Sequence, residues 1–456
     1  MREMLDCPQL PHFFEMKRAA LHTLGCKLNY AETATIGKQF VQKGYTLVDI
    51  TESADVVVIN TCSVTEHADR ECRQIIRRAL RTSPHATIAV VGCYAQLNSS
   101  SLQSMPGVKI VLGTEEKFNL FHYIENASDE QPSVVAPSVD EITTIHAASS
   151  TGFGERTRVF LKIQEGCDYH CSYCTVPLAR GRSRSIPKEI VLQQAYEVVE
   201  QGYKEIVLTG VNVGEYSTES GERLVSLLKE LVQIDGLQRI RISSIEPNLL
   251  SDELLELWFN EPKLCKHWHI PLQSGSNGIL KLMQRRYNRE FYRTKVETIK
   301  HYYPNAGIGA DVIVGFPGET DALFNETYDF ISEIPITYLH VFSYSARPYT
   351  PASTFDFQVE PRIRQERSER LHLLGIEKKR KFLQSFPGKI VTVLVESEVT
   401  PGVYSGLTEE YVRVVFEANS DVKNSLVSVF IDNAQDGQCH GFLIQPIFQC
   451  QERVYP

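Results

Sequence analysis

The stretch RVFLKIQEGCDYHCSYC, residues 158–174, passes from an apolar strand pattern directly into a loop with three cysteines. These are Cys167, Cys171 and Cys174, in the spacing C-x3-C-x2-C. In barrels of alternating strands and helices, the loops that follow the strands carry the chemistry. Three thiolates on one short loop therefore predict a metal centre, with a fourth coordination position left to fill.

Two kinds of metal centre suit three cysteines. A structural zinc site is normally closed by four protein ligands, and no second C-x2-C or H-x3-H motif lies near this loop. An iron–sulfur cluster is naturally held by thiolates, and it tolerates an iron without a protein ligand. We therefore favour a cluster whose open iron binds a substrate or cofactor, with structural zinc as the alternative.

The chain around this loop predicts a partial (βα)6 barrel. Six apolar strand candidates alternate with helical patterns between residue 156 and about residue 345, roughly three quarters of an eight-stranded barrel. Their sequences are RVFLKIQ, KEIVLTG, RIRISSI, HWHIPLQ, IGADVIVGF and YLHVFSYS.

A second set of cysteines lies in the N-terminal part of the chain. Residues 19–125 alternate apolar strands with helices, the pattern of a parallel sheet covered on both faces. Cys26, Cys62 and Cys93 each directly follow a predicted strand. Because the carboxyl ends of parallel strands meet at one edge, we predict a shared metal site there. The alternative is three buried core cysteines.

The remaining segments complete a prediction of five regions. Residues 1–18 form an N-terminal extension, and residues 126–155, which are polar and rich in Ser, Pro and Ala, form a linker. The barrel region spans 156–385 and ends with a basic helix at 362–382. Short alternating strands over residues 386–452 predict a small β-barrel.

Composition narrows the class of protein. None of the 456 residues lies in an apolar run long enough to span a bilayer, and the N-terminus lacks a signal-peptide core, although Met16 is an alternative start. We expect a cytoplasmic protein without a membrane partner. Eleven cysteines in such a chain favour ligands over disulfides. The net charge of −9 means that any binding of nucleic acid depends on local basic patches.

The cysteine loop and its barrel resemble the radical S-adenosylmethionine superfamily. The resemblance implies that the loop cysteines hold a [4Fe–4S] cluster, that S-adenosylmethionine binds the open iron, and that a 5′-deoxyadenosyl radical is produced. It also implies that Tyr173 packs near the adenine and that Gly210 and Asn212, in the string TGVN, contact the cofactor's amino group. A purely structural strand end is the alternative for these last two residues.

A longer resemblance, over residues 19–450, is to the methylthiotransferases of that superfamily, which end in a β-barrel called TRAM. The matching strings are LGCKLNYAE, VINTCSVTEHAD, VGCYAQ, IQEGCDYHCSYCTVPLARGRSRS, LTGVNVGEY, HIPLQSGSN, GADVIVGFPGET, VFSYSARPYTPA and GLTEEYVRV. The resemblance implies a second [4Fe–4S] cluster on Cys26, Cys62 and Cys93, also with an open iron. Sulfur would be inserted at C2 of an adenine and a second S-adenosylmethionine would donate the methyl group, so both clusters should face one cavity.

Three substrates occur in this family. The strings LGCKLNYAE and RGRSRS are most similar to the subgroup that modifies threonylcarbamoyladenosine at position 37 of tRNA, the MtaB type. The isopentenyladenosine subgroup carries Gln-Met-Asn after the first cysteine, and a third subgroup modifies an aspartate of a ribosomal protein. Outside the class, the alternative is a non-catalytic protein that binds zinc and RNA. The expected partners are a tRNA anticodon stem-loop and an electron-donating reductase or flavodoxin-type protein.

Weaker candidates remain. Ser243, Gln273 and Asp311 lie in or after later strands and are candidates to line the cavity. Arg180, Arg182 and Arg184 follow the cysteine loop and suit phosphates or a carboxylate, with a solvated loop as the alternative. The helix at 362–382 carries eight basic and three acidic residues, whereas residues 386–456 carry four basic and nine acidic residues. We therefore expect RNA recognition to depend on the helix and the radical domain more than on the C-terminal barrel.

Overall fold

The computed structural model describes residues 16–127 and 132–444. Its N-terminal part is a six-stranded, fully parallel sheet in the order β2-β1-β3-β4-β5-β6. The strands are β1 (Arg18–Thr23), β2 (Thr46–Val48), β3 (Val56–Thr61), β4 (Thr87–Gly92), β5 (Val108–Leu112) and β6 (Ser133–Val135). The helices are α1 (Lys27–Gln42), α2 (Glu66–Thr82), α3 (Cys93–Leu97), α4 (Ser99–Gln103) and α5 (Leu120–Glu125).

Burial on both faces explains this sheet. Every residue of β3, VVVINT, is buried, as expected for a central parallel strand covered by helices. The two edge strands, β2 and β6, are not evident in the sequence because each has only three residues. β6 lies inside the segment predicted to be a linker and pairs in parallel with β5. This part of the segment therefore extends the sheet.

The central part contains the six predicted barrel strands in chain order, together with a separate sheet of two short strands, Gln164–Glu165 and Arg184–Ser185. The strands are β7 (Arg158–Lys162), β8 (Gln164–Glu165), β9 (Arg184–Ser185), β10 (Glu205–Thr209), β11 (Arg239–Ile242), β12 (His267–His269), β13 (Gly307–Val314) and β14 (Tyr338–Ser343). The helices are α6 (Val176–Arg180), α7 (Lys188–Glu200), α8 (Leu224–Leu231), α9 (Asp252–Asn260), α10 (Asn277–Leu282), α11 (Arg289–Tyr302), α12 (Asp321–Glu333) and α13 (Pro361–Leu383).

The barrel is open and is built from two parallel three-stranded sheets. β7, β10 and β11 form one sheet and β12, β13 and β14 form the other. A parallel bridge between Ile240 and Leu264, which precedes β12, and a hydrogen bond from the Ile245 N–H to the His269 carbonyl at 3.1 Å link the two sheets. β12 is shorter than the predicted strand HWHIPLQ, because Pro271 cannot donate to a ladder. Gln273 then adopts a left-handed φ of 64° and bridges to Val312.

The C-terminal part is a closed five-stranded barrel in the order β15-β16-β17-β19-β18. Its strands are β15 (Ile390–Thr400), β16 (Val403–Leu407), β17 (Arg413–Glu417), β18 (Leu426–Gln435) and β19 (Gln438–Leu443). The sequence indicated four of these strands, and β16 is the additional one. With the parallel sheet and the open barrel, this small barrel confirms the predicted fold class.

Within the described ranges, no helix combines the length and the apolar character needed to cross a membrane. Residues 1–15 of the predicted extension and residues 445–452 of the predicted C-terminal region lie outside those ranges.

Candidate active site

A cavity of about 300 Å³ lies at the carboxyl ends of the barrel strands. One wall is the cysteine loop and a second is formed by strand ends of the open barrel. A third comes from the N-terminal sheet, through the two residues that follow Ser63. Its lining includes Val64, Thr65, Cys167, Cys171, Tyr173, Cys174, Asn212, Gln273, Asp311 and Tyr344. Three separate parts of the chain therefore enclose one space.

Each sulfur of the cysteine loop receives a hydrogen-bond donor. The backbone N–H groups of Tyr169 and Val176 lie 3.4 Å and 3.5 Å from Sγ of Cys167 and Cys174. Nη1 of Arg285 lies 3.0 Å from Sγ of Cys171. Such donors favour the thiolate form that binds metal. Burial acts in the opposite direction and raises the pKa of all three thiols, that of Cys174 to about 12. Loading of a metal must therefore release protons.

Several polar atoms around the cavity lack a partner among the described residues. The side-chain amide of Asn212, Oε1 of Gln273 and the hydroxyl of Tyr344 are buried without a hydrogen bond. Buried polar groups are normally paired, and an unpaired one destabilises the fold. Gln273 also keeps a strained left-handed backbone. These groups fit a ligand that carries donors and acceptors, such as the amino-acid and nucleoside parts of S-adenosylmethionine.

Gly210 and Tyr173 shape the cavity in different ways. A Cβ on Gly210 would lie 2.8 Å from Oε1 of Gln164, and that oxygen accepts the backbone N–H of Asn212 at 2.9 Å. Gly210 does not line the cavity itself. Its lack of a side chain leaves room for Gln164, which holds the backbone of Asn212 where Asn212 lines the cavity. Tyr173 lines the cavity and packs edge-on against Phe316, with ring centroids 6.3 Å apart.

The N-terminal cysteines meet at the carboxyl edge of their sheet. Cys26 precedes α1, Cys62 follows β3, and Cys93 begins α3. Gly25 has a φ of 94°, and a Cβ there would lie 2.8 Å from Sγ of Cys62. Burial raises the pKa of Cys62 to about 12, with further contributions from the nearby Cys26 and Cys93 thiols. The three side chains therefore form one cluster, in which Cys62 is buried and Cys26 is exposed.

The two cysteine sets are joined by the short segment 174–180. Oγ1 of Thr175 donates to the backbone carbonyl of Ser63 at 3.2 Å, one residue after Cys62. Nε of Arg180 donates to Sγ of Cys93 at 3.2 Å. The sequence suggested Arg180 as a contact for phosphate or carboxylate, but its side chain is buried at 3% exposure and is fully engaged within the protein. That interpretation of Arg180 is wrong.

Arg180 belongs to a buried charge network that motif matching missed. Its guanidinium binds Glu32 and Glu165 at 2.6–3.0 Å. Glu32 also binds Lys117 at 2.6 Å and Lys162 at 3.1 Å. Burial alone would raise the pKa of both carboxyls, but the cations outweigh it and lower the pKa of Glu165 to about 2. A lysine inside the apolar strand RVFLKIQ was the available signal in the sequence.

The other predicted residues occupy varied positions. Arg182 is exposed, and Nε of Arg184 donates to the Thr144 carbonyl at 3.0 Å. The hydroxyl of Ser243 is buried without a partner in the described chain, and the residue after it lines the cavity.

Arg347, from the segment after β14, binds Asp69 of α2 at 2.6 Å. This ion pair connects the N-terminal part of the chain to the segment that follows the last barrel strand, and it helps to hold the N-terminal sheet over the open end of the barrel.

Two family models match the chain. Residues 18–113 match the model described as uncharacterized protein family UPF0004, and residues 161–331 match the radical SAM superfamily. The two matches contain the two cysteine sets, one in each.

Curated relatives extend the similarity to almost the whole chain. The chain is 40% identical over 423 residues to the threonylcarbamoyladenosine tRNA methylthiotransferase MtaB of Bacillus subtilis (strain 168), covering 91% of this chain and 94% of the relative. The enzyme of the same name from Aquifex aeolicus (strain VF5) is 39% identical, covering 91% and 100%. A tRNA-2-methylthio-N(6)-dimethylallyladenosine synthase of Fusobacterium nucleatum is 34% identical, covering 94% and 100%.

Among solved structures, the fold is similar to that of the radical S-adenosylmethionine methyltransferase TsrM from Kitasatospora setae, solved with cobalamin and a [4Fe–4S] cluster. The TM-score is 0.54 at 16% identity, and the match covers 74% of this chain and 77% of that one. At this identity the likeness concerns the fold alone.

Proposed function

The chain belongs to the radical S-adenosylmethionine methylthiotransferases, and on that premise we propose that it methylthiolates C2 of N6-threonylcarbamoyladenosine at position 37 of tRNA. The observation that supports this most strongly is the segment 174–180. It contacts Cys93 and the backbone next to Cys62, and it begins at a cysteine that lines the cavity. Sulfur transfer requires such proximity of the two cysteine sets.

Membership of the family implies S-adenosylmethionine and a [4Fe–4S] cluster. We assign that cluster to Cys167, Cys171 and Cys174, and a second cluster to Cys26, Cys62 and Cys93. When bound, these groups supply the one-electron chemistry that activates C2 and the sulfur and methyl group that are added there. Three thiols with hydrogen-bond donors at each sulfur fit the first cluster, and three converging thiols next to Arg180 fit the second.

Backbone and side-chain groups of the protein position and protect these groups. The donors from Arg285, Tyr169 and Val176 hold the loop sulfurs in place. The unpaired polar groups of Asn212 and Gln273 are suited to orient the polar parts of the cofactor. The N-terminal sheet covers the barrel mouth and excludes water, which would quench reactive species.

The substrate assignment follows curated relatives that are 35–40% identical to this chain and are named for threonylcarbamoyladenosine. We infer that the anticodon stem-loop presents position 37 to the cavity, and that a reductase or flavodoxin-type protein delivers the electron. The proposal places the enzyme in the cytoplasm, together with its tRNA substrate.

Mass spectrometry of nucleosides in bulk tRNA tests the proposal in a strain that lacks the gene. We expect the methylthio form of threonylcarbamoyladenosine to disappear, its unthiolated precursor to accumulate, and the wild-type gene to restore it. Cys171→Ala and Cys93→Ala should each fail to restore it, whereas Cys72→Ala, in the N-terminal core, should succeed. Loss of the methylthio isopentenyl nucleoside instead would contradict the substrate and support the activity of the dimethylallyladenosine relatives.

A metal analysis separates the enzyme from a zinc protein. Anaerobically purified protein should be brown and contain about eight irons for two [4Fe–4S] clusters. Removal of either cysteine set should halve the iron content. Colourless protein that contains zinc would contradict both the cluster assignment and the enzymatic role.

A further inference from the structure

The segment that follows β14 carries two aromatic residues that are exposed to solvent. Tyr349 and Phe357 are the two most exposed of the large apolar and aromatic residues in the described ranges, at 84% and 85%. Both also adopt left-handed backbone angles, with φ of 66° and 58°. A bulky residue is strained in that region, and an exposed ring gains nothing from burial. Strain and exposure together mark each ring as a candidate for binding, and the surroundings decide between the two.

Contacts on both sides of Tyr349 fix its place at the open end of the barrel. Two residues earlier, Arg347 binds Oδ2 of Asp69 in α2 at 2.6 Å. Three residues later, the backbone N–H of Ala352 donates to the carbonyl of Ser172, in the cysteine loop, at 2.8 Å. Tyr349 therefore lies on a short stretch that is anchored to the N-terminal part of the chain at one end and to the cysteine loop at the other.

The same segment forms part of the cavity wall. Tyr344 and Ser345 line the cavity, and Oγ of Ser345 accepts the backbone N–H of Glu66 at 3.1 Å. We call residues 344–352 the rim segment. Four residues of chain span at most about 14 Å, so the backbone of Tyr349 lies within that distance of Ser345. An RNA strand that delivers one base into the cavity would bring the neighbouring nucleotides close to the Tyr349 ring.

The helix beside the rim segment carries an excess of positive charge. α2 has five arginines and three acidic residues, and one of these acids, Asp69, is neutralised by Arg347 of the rim segment. Arg70, Arg77 and Arg78 are exposed on α2. Because exposed arginines attract phosphates, the surroundings of Tyr349 favour a polyanion.

Phe357 shares the exposure and the backbone strain but not the surroundings. Its carbonyl accepts the N–H of Gly318, in the turn after β13, at 3.0 Å. Asp356 and Glu360, which are both exposed, lie close to it in the chain, and their charges repel phosphates. Position and charge therefore distinguish Tyr349, and Phe357 provides a matched comparison.

We propose that Tyr349 stacks on the base of a nucleotide next to position 37 of the tRNA and thereby holds the anticodon loop at the open end of the barrel. The inference rests on the proposed function and adds a residue that binds the RNA outside the cavity. Every base has an aromatic face, so stacking on a tyrosine ring tolerates any sequence. A tyrosine side chain also loses little conformational entropy on binding.

Binding of an anticodon stem-loop that carries threonylcarbamoyladenosine is measured by fluorescence anisotropy with reconstituted full-length enzyme. Tyr349→Gly removes the ring and relieves the left-handed strain. Its Kd should rise by about fivefold to a hundredfold, the contribution of one stacked base, while its thermal midpoint should not fall. Tyr349→Phe should keep the wild-type Kd. Phe357→Gly, which relieves the same strain at the other ring, should leave Kd unaltered.

A second comparison identifies the stacked base. Stem-loops with an abasic nucleotide directly before or directly after position 37 are bound to the wild-type enzyme and to Tyr349→Gly. One of the two abasic loops should bind the wild-type enzyme as weakly as the intact loop binds the variant. For that loop the variant should lose no further affinity, because the ring and its partner base are then both absent. Iron content confirms that the clusters are loaded in both proteins.

The outcomes separate the inference from the proposed function. Failure of the wild-type enzyme to bind and modify the intact stem-loop overturns the proposed function. Modification of that RNA with an unchanged Kd in Tyr349→Gly, or with the same loss of affinity for the intact and both abasic loops, overturns the inference alone. If Tyr349→Gly binds RNA normally but turns over slowly with a flavodoxin-type donor and normally with dithionite, the ring contacts the electron donor, which also overturns the inference.

Discussion

Arg180 and Cys93 are joined by a hydrogen bond of 3.2 Å from the guanidinium Nε to the sulfur. The two residues lie in different parts of the fold, Arg180 at the end of α6 and Cys93 at the start of α3. The remaining nitrogens of the guanidinium bind Glu32, Glu165 and Asn29. Arg180 therefore connects Cys93, a ligand of the proposed N-terminal cluster, to the segment 174–180, which follows the cysteine loop of the other proposed cluster.

Arg180→Ala should destabilise this junction. Removal of one member of a buried ion network leaves the carboxylates of Glu32 and Glu165 with fewer cations, and it typically lowers the free energy of unfolding by about 3–5 kcal/mol. We expect a lower urea midpoint and a loss of iron confined to the N-terminal site. Arg182→Ala, an exposed neighbour, is the control. An unchanged iron content in Arg180→Ala would show that Arg180 does not support the Cys93 site.

Arg285 should tune the reduction potential of the cluster proposed for the cysteine loop. It donates to Sγ of Cys171 at 3.0 Å and forms a close ion pair with Glu246. Hydrogen bonds to sulfur ligands influence the potential of iron–sulfur clusters, and loss of this donor should make the cluster harder to reduce. Arg285→Met is expected to lower the midpoint potential, measured by a spectroscopic redox titration. It should slow cleavage of S-adenosylmethionine by about tenfold, the effect of one charge-assisted hydrogen bond.

The control for this change is Arg289→Met, a half-buried residue at the start of α11 that pairs with Glu290, which should leave the potential unaltered. If Arg285→Met retains the wild-type potential but loses iron, the arginine serves assembly of the site and the tuning prediction is wrong.

The sequence predicted those helices and strands that are marked by a pattern of consecutive residues. Continuous apolar strands indicated the parallel sheet and the open barrel, and the strand ends located both cysteine sets. Charged partners far apart in the chain were not predictable. The Glu32–Lys162 pair depends on how the N-terminal part docks against β7, and the Glu32–Lys117 pair depends on how α1 packs against the segment after β5. Arg180 was misinterpreted for the same reason. An arginine in a polar loop motif gives no local sign of burial.

Glu205 gives a testable pH dependence at the contact between the open barrel and the C-terminal barrel. Burial would raise its pKa, but Arg241, Arg158 and Arg239 outweigh it and hold the pKa below its ordinary value of 4.5. A carboxyl whose pKa is lower in the folded than in the unfolded protein contributes to stability at pH values above its unfolded-state pKa. That contribution is lost as the pH falls towards the folded-state pKa. The free energy of unfolding should therefore fall as the pH drops below about 4.5. Urea unfolding between pH 7 and pH 3 measures this change.

Glu205→Gln is the matched variant for this experiment. It should be less stable at pH 7, because three arginines lose their shared carboxylate, and its stability should depend less on pH below 4.5. Comparison of the two proteins at each pH cancels the effect of acid on the clusters. Parallel curves for the two proteins would show that other carboxyls account for the acid sensitivity.

The exposed face of α13 should contact RNA. Lys379 and Arg380 are exposed near the end of this helix, and the apolar side chains of Leu373 and Ile376 are exposed on it as well. The adjoining C-terminal barrel region is acidic, with nine acidic and four basic residues over 386–456, so the helix is the better electrostatic partner for phosphates. Each phosphate contact contributes roughly 0.7–0.9 to the slope of log affinity against log salt concentration.

Lys379→Gln and Arg380→Gln should therefore each weaken binding of an anticodon stem-loop and reduce the salt slope by about 1. The loss should be similar for modified and unmodified RNA, because phosphate contacts carry no information about the base. Lys43→Gln, at the end of α1 where the lysine pairs with Glu125, controls for net charge. If the α13 variants keep the wild-type slope while the RNA still binds, the phosphates contact another surface. The exposed Arg182 beside the cysteine loop would then be the next residue to change.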